Sequence, residues 1–229
     1  MRPVIVPAIL ANSFEEVEDS FNKVKNFAPE VQIDIVDGKF APTTTWPFHS
    51  DSFKAELMKL GRVQQDTVFE IDLMVEEPTE YLRLLKDNGF CRVIIHFSSA
   101  KDISSTLETA KKLSLHTGLA ITNDDDLAEV EKHLDKVDWV QVMGIKEVGK
   151  QGEPFDVRTL RTIRKLLSFD RDLLVAVDGS VNARTLPDLL MSGARRLCVG
   201  SAILKSEEPG AVYKQLQKIV QRWARYNIL

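Results

Sequence analysis

Three aspartates in otherwise apolar segments are the residues of this sequence that point most directly to chemistry. Asp34 lies inside the run 31–36, which is rich in β-branched residues and suits a strand, and Asp72 and Asp178 lie in later apolar segments. A bare carboxylate in a buried strand costs on the order of several kcal/mol unless it is paired, hydrogen-bonded or metal-bound. Three carboxylates meeting in one cavity would also raise each other's pKa. A divalent metal would resolve that conflict, and oxygen ligands favour Mg²⁺ or Mn²⁺ over metals that prefer softer ligands.

The elements that must position these aspartates alternate between strand and helix patterns. Eight continuous apolar segments, as expected for strands covered on both faces, are each followed by a helical pattern. Eight such pairs in 229 residues predict a single-domain TIM (β/α)₈ barrel over residues 1–229, with an open doubly wound sheet as the alternative. The expected strands are 4–10, 31–36, 67–75, 91–97, 118–122, 139–143, 173–177 and 195–199. The expected helices are 13–27, 52–60, 78–89, 102–116, 123–134, 156–167, 182–191 and 209–226.

Polar residues at the carboxyl ends of the strands are the site candidates, because the active site of such a barrel lies there. Several also have ordinary structural interpretations. Asp37 before Gly38 is more typical of a turn. Asp72 would be solvated if its strand were short, Asp178 could cap the next helix, and His96 could be a satisfied core residue. The candidates at strand ends are Gln32, Asp34, Asp37, Glu70, Asp72, His96, Gln141 and Asp178.

Two glycine-hydroxyl pairs suggest where an anion would bind. They are Gly179-Ser180 and Gly200-Ser201, and they follow the seventh and eighth expected strands. Backbone N–H groups near helix starts attract anions, and barrels commonly bind phosphate at these two loops. Lys146 and Lys150 in the preceding loop could close over such a ligand, although charged loop residues are usually only solvated. The pattern therefore indicates a phosphorylated ligand.

Composition narrows the class of protein. With 44% hydrophobic and 28% charged residues, the chain has an ordinary soluble composition, and its net charge of -4 argues against a nucleic-acid partner. No apolar run reaches membrane-spanning length, and the one ending at Pro7 is too short for a signal peptide. Cys91 and Cys198 form no metal-binding or redox motif, so we expect reduced thiols in a cytoplasmic protein. Barrel helices often support dimers, which leaves a homo-oligomer open.

Five segments of the chain together resemble the ribulose-phosphate 3-epimerase family. They occur in the family's order across nearly the whole chain: Pro7-Ala8-Ile9-Leu10, residues 33–42 with Asp-Gly-x-Phe-x-Pro, residues 72–78 with Leu-Met-Val, residues 177–181 and residues 200–203. The resemblance implies a TIM barrel that binds a phosphorylated ketopentose, and thus an isomerase of pentose phosphate metabolism.

The resemblance also implies roles for individual residues. Asp34 and Asp178 correspond to the family's acid and base, one on each face of the carbon that is inverted, and both also bind a metal that stabilises the enediolate. Gly179, Ser180, Gly200 and Ser201 correspond to phosphate contacts. Met74 and Met143, at the ends of the third and sixth strands, complete the expected substrate-binding set.

The sequence departs from the family pattern at the metal ligands. The two family histidines are replaced by Gln32 and Asp72, so the expected ligand set is Gln32, Asp34, Asp72 and Asp178. Losing imidazoles weakens a zinc or iron site, which favours Mg²⁺ or Mn²⁺ or leaves the site without metal. The loop after strand six also differs, and Ala8 replaces a serine. We therefore expect an epimerase of a phosphorylated ketose, with a non-catalytic sugar-phosphate-binding barrel or a related phosphate-binding lyase as alternatives.

Overall fold

Eight parallel strands close into a barrel in the order of the chain, β1 to β8, in the computed structural model, which describes residues 2–63 and 67–226. The closed barrel confirms the predicted fold class and excludes the open sheet. The strands are β1 Val4–Leu10, β2 Glu30–Val36, β3 Val68–Met74, β4 Arg92–His96, β5 His116–Ile121, β6 Trp139–Met143, β7 Val175–Asp178 and β8 Arg196–Val199.

Nine α-helices lie within the described residues and cover the outside of the barrel. They are α1 Phe14–Val24, α2 Phe53–Val63, α3 Thr79–Asp87, α4 Ile103–Lys112, α5 Leu127–Glu131, α6 Thr159–Phe169, α7 Leu186–Ser192, α8 Ser201–Leu204 and α9 Pro209–Tyr226. Ser13 caps the start of α1, since its hydroxyl accepts the backbone N–H of Glu16 at 3.2 Å. Across the described ranges, no helix combines the length and apolar character needed to span a bilayer.

Strand β2 shows how the sequence separates core from site. Alternate residues of a strand point to opposite faces. Val31, Ile33 and Ile35 face outward and are fully buried in the core between strands and helices. Gln32 and Asp34 face the barrel interior, where they meet polar side chains of other strands. One short segment therefore supplies both the packing that holds the strand and the polar groups of the site.

The register of the strands brings the predicted aspartates close together in the barrel. Asp34 of β2 lies beside Asp72 of β3. Across the barrel, Asp178 of β7 lies between Met143 of β6 and Cys198 of β8. The three carboxylates come from distant parts of the chain, and the closed sheet is what makes them neighbours.

A layer of charged side chains fills the barrel below the aspartates. Arg196 donates to Glu30 at 2.7 Å and to Glu70 at 2.8 Å, and Arg92 donates to Glu30 at 2.7 Å. Such buried charges are tolerated because each has an opposite partner. Glu70, a candidate at the sequence level, thus belongs to this supporting layer.

The structure corrects two helix ends that were predicted from local signals. The second helix was expected to end at residue 60, before Gly61, but α2 continues through Gly61 to Val63. The fifth helix was expected from residue 123, but α5 begins at Leu127. Asp125 accepts the N–H and hydroxyl of Thr122, and Asp126 caps Ala128. Aspartate side chains that accept nearby backbone N–H groups compete with helix formation, which delays the start.

Further boundaries also differ from the prediction, and α6 and α7 begin at Thr159 and Leu186 rather than at 156 and 182. His116 was assigned to a helix, but it is the first residue of β5. Strand β7 begins at Val175 rather than 173, because Asp170 accepts the N–H of Asp172 and holds a turn before the strand. The short helix α8, directly after β8, was not predicted at all.

Candidate active site

The side-chain amide of Gln32 joins Asp34 and Asp178, the two aspartates to which the family resemblance assigns the acid and base roles. Its nitrogen Nε2 donates to Oδ1 of Asp34 at 2.7 Å and to Oδ2 of Asp178 at 2.6 Å. Gln32 and Asp178 are buried, and Asp34 keeps part of its surface open to a cavity at the barrel mouth. The amide thus fixes the positions of both carboxyl groups without adding charge.

Asp72 lies beside Asp34 in the strand register, is fully buried and does not line the cavity. His96 Nε2 lies 2.9 Å from its Oδ1, and Gln141 Nε2 donates to its Oδ2 at 2.9 Å. Gln32 approaches the same Oδ2 at 3.5 Å. The interpretation of Asp72 as a solvated strand residue is therefore wrong. His96 is a buried residue with a hydrogen-bond partner, as the structural interpretation of this histidine predicted. The partner is Asp72.

A cavity of about 240 Å³ opens above the aspartates at the carboxyl ends of the strands. Asp34 and Asp178 line it, together with every residue expected to bind substrate or phosphate: Met74, Met143, Gly179, Ser180, Gly200 and Ser201. Gln32 and Asp72 do not line it and lie deeper in the barrel. The structure thus brings the predicted residues together in two tiers.

Burial and mutual repulsion raise the pKa of both cavity aspartates. Enclosure in the barrel raises the pKa of Asp34 well above its usual range, and the charges of Asp178 and Asp72 add to this effect. Burial, followed by the charge of Asp72, raises the pKa of Asp178 to about 7. The hydrogen bonds from Gln32 act in the opposite direction on both aspartates. Near neutral pH the pair therefore retains a proton that two isolated aspartates would have lost.

The turn after β7 is held in a conformation that only a few residue types adopt readily. Gly179 and Ser180 both have positive φ, 98° and 55°. The carbonyl of Ser180 accepts hydrogen bonds from Asn182 and Thr185, both at 2.9 Å. The Ser180 hydroxyl donates to the carbonyl of Glu153. The turn is thus rigidly placed at the cavity rim, with the hydroxyl already engaged inside the protein.

Asp37 stabilises a turn, as the Asp37-Gly38 pair predicted. Its Oδ1 accepts the backbone N–H groups of Lys39 at 2.8 Å and Phe40 at 2.9 Å, and its Oδ2 accepts that of Glu76 at 2.8 Å. Asp178, by contrast, ends β7 inside the cavity and caps no helix. The family segment at 33–42 therefore contains one site aspartate and one structural aspartate.

Comparison with known proteins decides the family. Residues 4–204 match the model described as the ribulose-phosphate 3 epimerase family. The chain belongs to this family. Relatives named ribulose-phosphate 3-epimerase include those of Schizosaccharomyces pombe, 24% identical over 95% of this chain and 94% of the relative, and of Bacillus subtilis, 26% identical over 87% and 91%. The predicted resemblance, and with it an enzyme of the carbohydrate-phosphate epimerase class, is confirmed at the level of the family.

Solved structures support the fold. The 3-keto-L-gulonate-6-phosphate decarboxylase of Vibrio cholerae aligns with a TM-score of 0.73 at 12% identity, over 97% of this chain and 99% of that chain. The 3-hexulose-6-phosphate synthase of Salmonella typhimurium aligns with a TM-score of 0.71 at 16% identity, over 96% and 99%. At such low identity the likeness shows the barrel and not the reaction.

The altered ligand positions of this ribulose-phosphate 3-epimerase family member fit a hard cation. Oxygens of Asp34, Asp72 and Asp178 lie within 4.8 Å of one another. Oε1 of Gln32 is buried and has no hydrogen-bond partner among the described residues. Rotating the amide by half a turn would turn this oxygen toward the three carboxylates, where a cation held between them would satisfy it. The resulting all-oxygen set is of the kind that Mg²⁺ and Mn²⁺ prefer.

Some residues of the site carried little signal in the sequence. Gln141 was one polar candidate among several, and nothing marked it as the donor to Asp72. Cys198 lines the cavity, and its Sγ contacts Oε1 of Gln141 at 3.6 Å. An apolar-type residue in a strand gives no indication of such a position. Lys150 lines the cavity and Lys146 does not, a distinction that their spacing alone could not make.

Proposed function

We propose that the protein epimerises a phosphorylated ketose by moving a proton between the two faces of one carbon, with Asp34 and Asp178 as acid and base. The observation that carries this proposal is the pair itself. Both carboxyl groups line one cavity, both are tied to Gln32, and the pKa of each is raised, that of Asp178 to about 7. An acid and a base work best when their pKa values lie near the operating pH.

The reaction needs one carboxylate and one carboxylic acid at the same time. The charged member takes the proton from the carbon beside the substrate carbonyl. The neutral member then returns a proton to the opposite face, so that the configuration inverts and the pair again holds one proton. Repulsion between two nearby carboxylates keeps the second proton bound, which is how such pairs divide the two roles.

Gln32 and Asp72 act on this pair from below. The Gln32 amide holds both carboxyl groups toward the cavity, and its hydrogen bonds limit the rise in their pKa. Asp72, held by His96 and Gln141, adds a buried charge that favours retention of the shared proton. Both are positioning residues, because neither lines the cavity.

The cavity supplies the remaining contacts to the substrate. Met74 and Met143 contribute apolar surface to the cavity, and the turns at Gly179 and Gly200 also line it. Ribulose 5-phosphate is the default substrate, since the named relatives are ribulose-phosphate 3-epimerases. Its phosphate would lie at the rim, where loops after the seventh and eighth strands of barrels commonly bind phosphate.

A divalent cation, Mg²⁺ or Mn²⁺, would be held by oxygens of Asp34, Asp72 and Asp178 with Oε1 of Gln32. It would supply electrostatic stabilisation of the negative charge that develops on the substrate oxygens. The chain's own groups still make both proton transfers.

The test is exchange of the C3 proton of ribulose 5-phosphate in D₂O, on metal-stripped protein with Mg²⁺, Mn²⁺, Zn²⁺ or Fe²⁺ added back singly. We expect exchange, largest with Mg²⁺ or Mn²⁺. Asp34→Asn and Asp178→Asn should each lower the rate by about 10²- to 10⁴-fold, since each removes one proton-transfer group. Asp172→Asn, an exposed surface change, is the matched control.

Undiminished exchange in both active-site variants would show that these aspartates are not the acid and base. Binding of the sugar phosphate without exchange under any metal would favour a non-catalytic binding barrel. Cleavage of a carbon–carbon bond would favour the lyase alternative.

A further inference from the structure

The loop of residues 144–153 after β6 is fastened to the rim of the cavity. Thr43 donates from its hydroxyl to the carbonyl of Gly149 at 2.6 Å. At the other end, the carbonyl of Glu153 accepts the hydroxyl of Ser180. The loop is thus tied both to the segment after β2 and to the turn after β7, and its middle has a defined place over the cavity.

The middle of this loop reaches the turn after β8. The side-chain nitrogen of Gln151 lies 3.5 Å from the point that a Cβ on Gly200 would occupy. Lys150 precedes Gln151 and lines the same cavity as Gly200 and Ser201. This loop therefore carries its lysine to the rim where the proposed phosphate site lies.

The cavity has little other means of attracting an anion. Among the described residues that line it, Lys150 is the only basic one, against the acidic Asp34, Glu153 and Asp178. The Ser180 hydroxyl is engaged by Glu153, and the Gly179 backbone hydrogen-bonds to the Asp178 carboxylate. Two of the groups expected to contact phosphate are therefore already in use.

The geometry points to Lys150 as a substrate-binding residue that pairs with the dianionic phosphate of the sugar. This inference rests on the proposed function and names the group that selects a phosphorylated substrate. Its present partner is Glu147, on the exposed side of the loop and outside the cavity lining. An exposed pair of this kind contributes little, so Lys150 can exchange Glu147 for a phosphate at small cost.

The test compares steady-state kinetics of Lys150→Met and wild type. We expect KM for ribulose 5-phosphate to rise by about 10- to 100-fold, as for loss of a hydrogen bond to a charged group. We expect kcat to change by less than about threefold, since the contact lies away from the reacting carbon. The inhibition constant of inorganic phosphate should rise in parallel, and the slow reaction of unphosphorylated ribulose should be unchanged.

Two variants of the same loop separate this role from a structural one. Lys146→Met removes an equal charge outside the cavity lining and should leave KM unchanged. Glu147→Gln frees Lys150 and should leave KM unchanged or lower it by up to about threefold. If the ion pair merely held the loop, Glu147→Gln would be as harmful as Lys150→Met, and that result would overturn the inference. So would a KM for Lys150→Met within about twofold of wild type.

The inference and the proposed function fail in different ways. If wild type shows no turnover of ribulose 5-phosphate, the proposed function fails. Calorimetric binding of inorganic phosphate to wild type and to Lys150→Met then still tests Lys150: weaker binding by the variant supports it, and equal binding refutes it. If wild type turns over and Lys150→Met matches it, only Lys150 is refuted.

Discussion

The shared proton of the two aspartates makes the stability of this protein depend on pH. The pKa of Asp178 is raised from its ordinary value of 3.8 to about 7 in the folded protein, chiefly by burial. Between these values the unfolded chain releases the proton and the folded protein keeps it. Stability falls with rising pH wherever the folded state binds more protons than the unfolded state. The free energy of unfolding should therefore decrease as pH rises from about 4 to about 7, and change little through this group above that.

The size of the effect follows from the same values. Each pH unit in this window costs about 1.4 kcal/mol, so the step from pH 5 to pH 7 costs about 3 kcal/mol through Asp178 alone. Asp178→Asn cannot ionise and should lose this dependence. At pH 5 we expect variant and wild type to be equally stable within about 1 kcal/mol, and at pH 7.5 the variant to be more stable by about 3 kcal/mol.

Thermal and urea unfolding in EDTA at several pH values provide the assay, because a bound cation would lower the carboxyl pKa values. For a chain of this size, about 3 kcal/mol corresponds to a Tm difference of about 6–12 °C. Titrating groups that Asp178 does not perturb, such as Glu70 with its raised pKa, are present in both proteins and cancel in the difference, whereas Asp34 loses the repulsion of Asp178 in the variant. Asp172→Asn should follow wild type at every pH. Parallel stability curves for Asp178→Asn and wild type would refute the assignment of the retained proton to this carboxyl group.

Three further expectations concern residues around the pair. Gln32→Leu removes hydrogen bonds that lower both aspartate pKa values, so the high-pH limb of the kcat profile should move upward; an unmoved limb would contradict the role of the amide. The double variant Gln32→His, Asp72→His should retain Zn²⁺ through dialysis where wild type and each single variant do not, as measured by elemental analysis. Gly179→Ala combines a φ of 98° with a new Cβ 2.8 Å from Ile145 and should cost about 2–4 kcal/mol by urea unfolding, whereas Gly152→Ala, which has positive φ but no atom within 4 Å, should cost about 1 kcal/mol. Equal losses in the two alanine variants would show that the contact with Ile145 is unimportant.

The barrel could be predicted from the sequence because its signals are strong and repeated. The bounds of β1, β6 and α9 agree with the prediction to the residue. The errors occur where a residue that often ends or starts a helix has a different structural role in this protein. Gly61 is compatible with a helix at modest cost, and tertiary packing of Leu57 and Leu60 carries α2 past it. The aspartates before α5 satisfy backbone groups of a turn instead of starting the helix.

The site could be predicted as a set of residues but not as an arrangement. A buried carboxylate in an apolar strand is a strong signal, so Asp34, Asp72 and Asp178 could be found in advance. Which donor meets which carboxylate depends on rotamers and on strand register, and a one-dimensional pattern holds neither. The same limit applies to Lys146 and Lys150. They are the same residue type in the same loop, but only Lys150 lines the cavity.

Gln32 and Asp72, at the positions that the family resemblance assigns to two histidines, determine how negative charge is balanced in this barrel. The neutral amide of Gln32 and the carboxylate of Asp72 supply no positive charge. The negative charge of Asp34 and Asp178 must therefore be offset by a retained proton or by a cation. The two compete, because a cation that binds the carboxylates lowers their pKa and displaces the proton. If the site keeps one proton for catalysis, as proposed, it gains from holding a cation weakly. Gln32 suits that balance, since its amide nitrogen donates to the protonated pair in one orientation and its amide oxygen would face a metal after a half-turn.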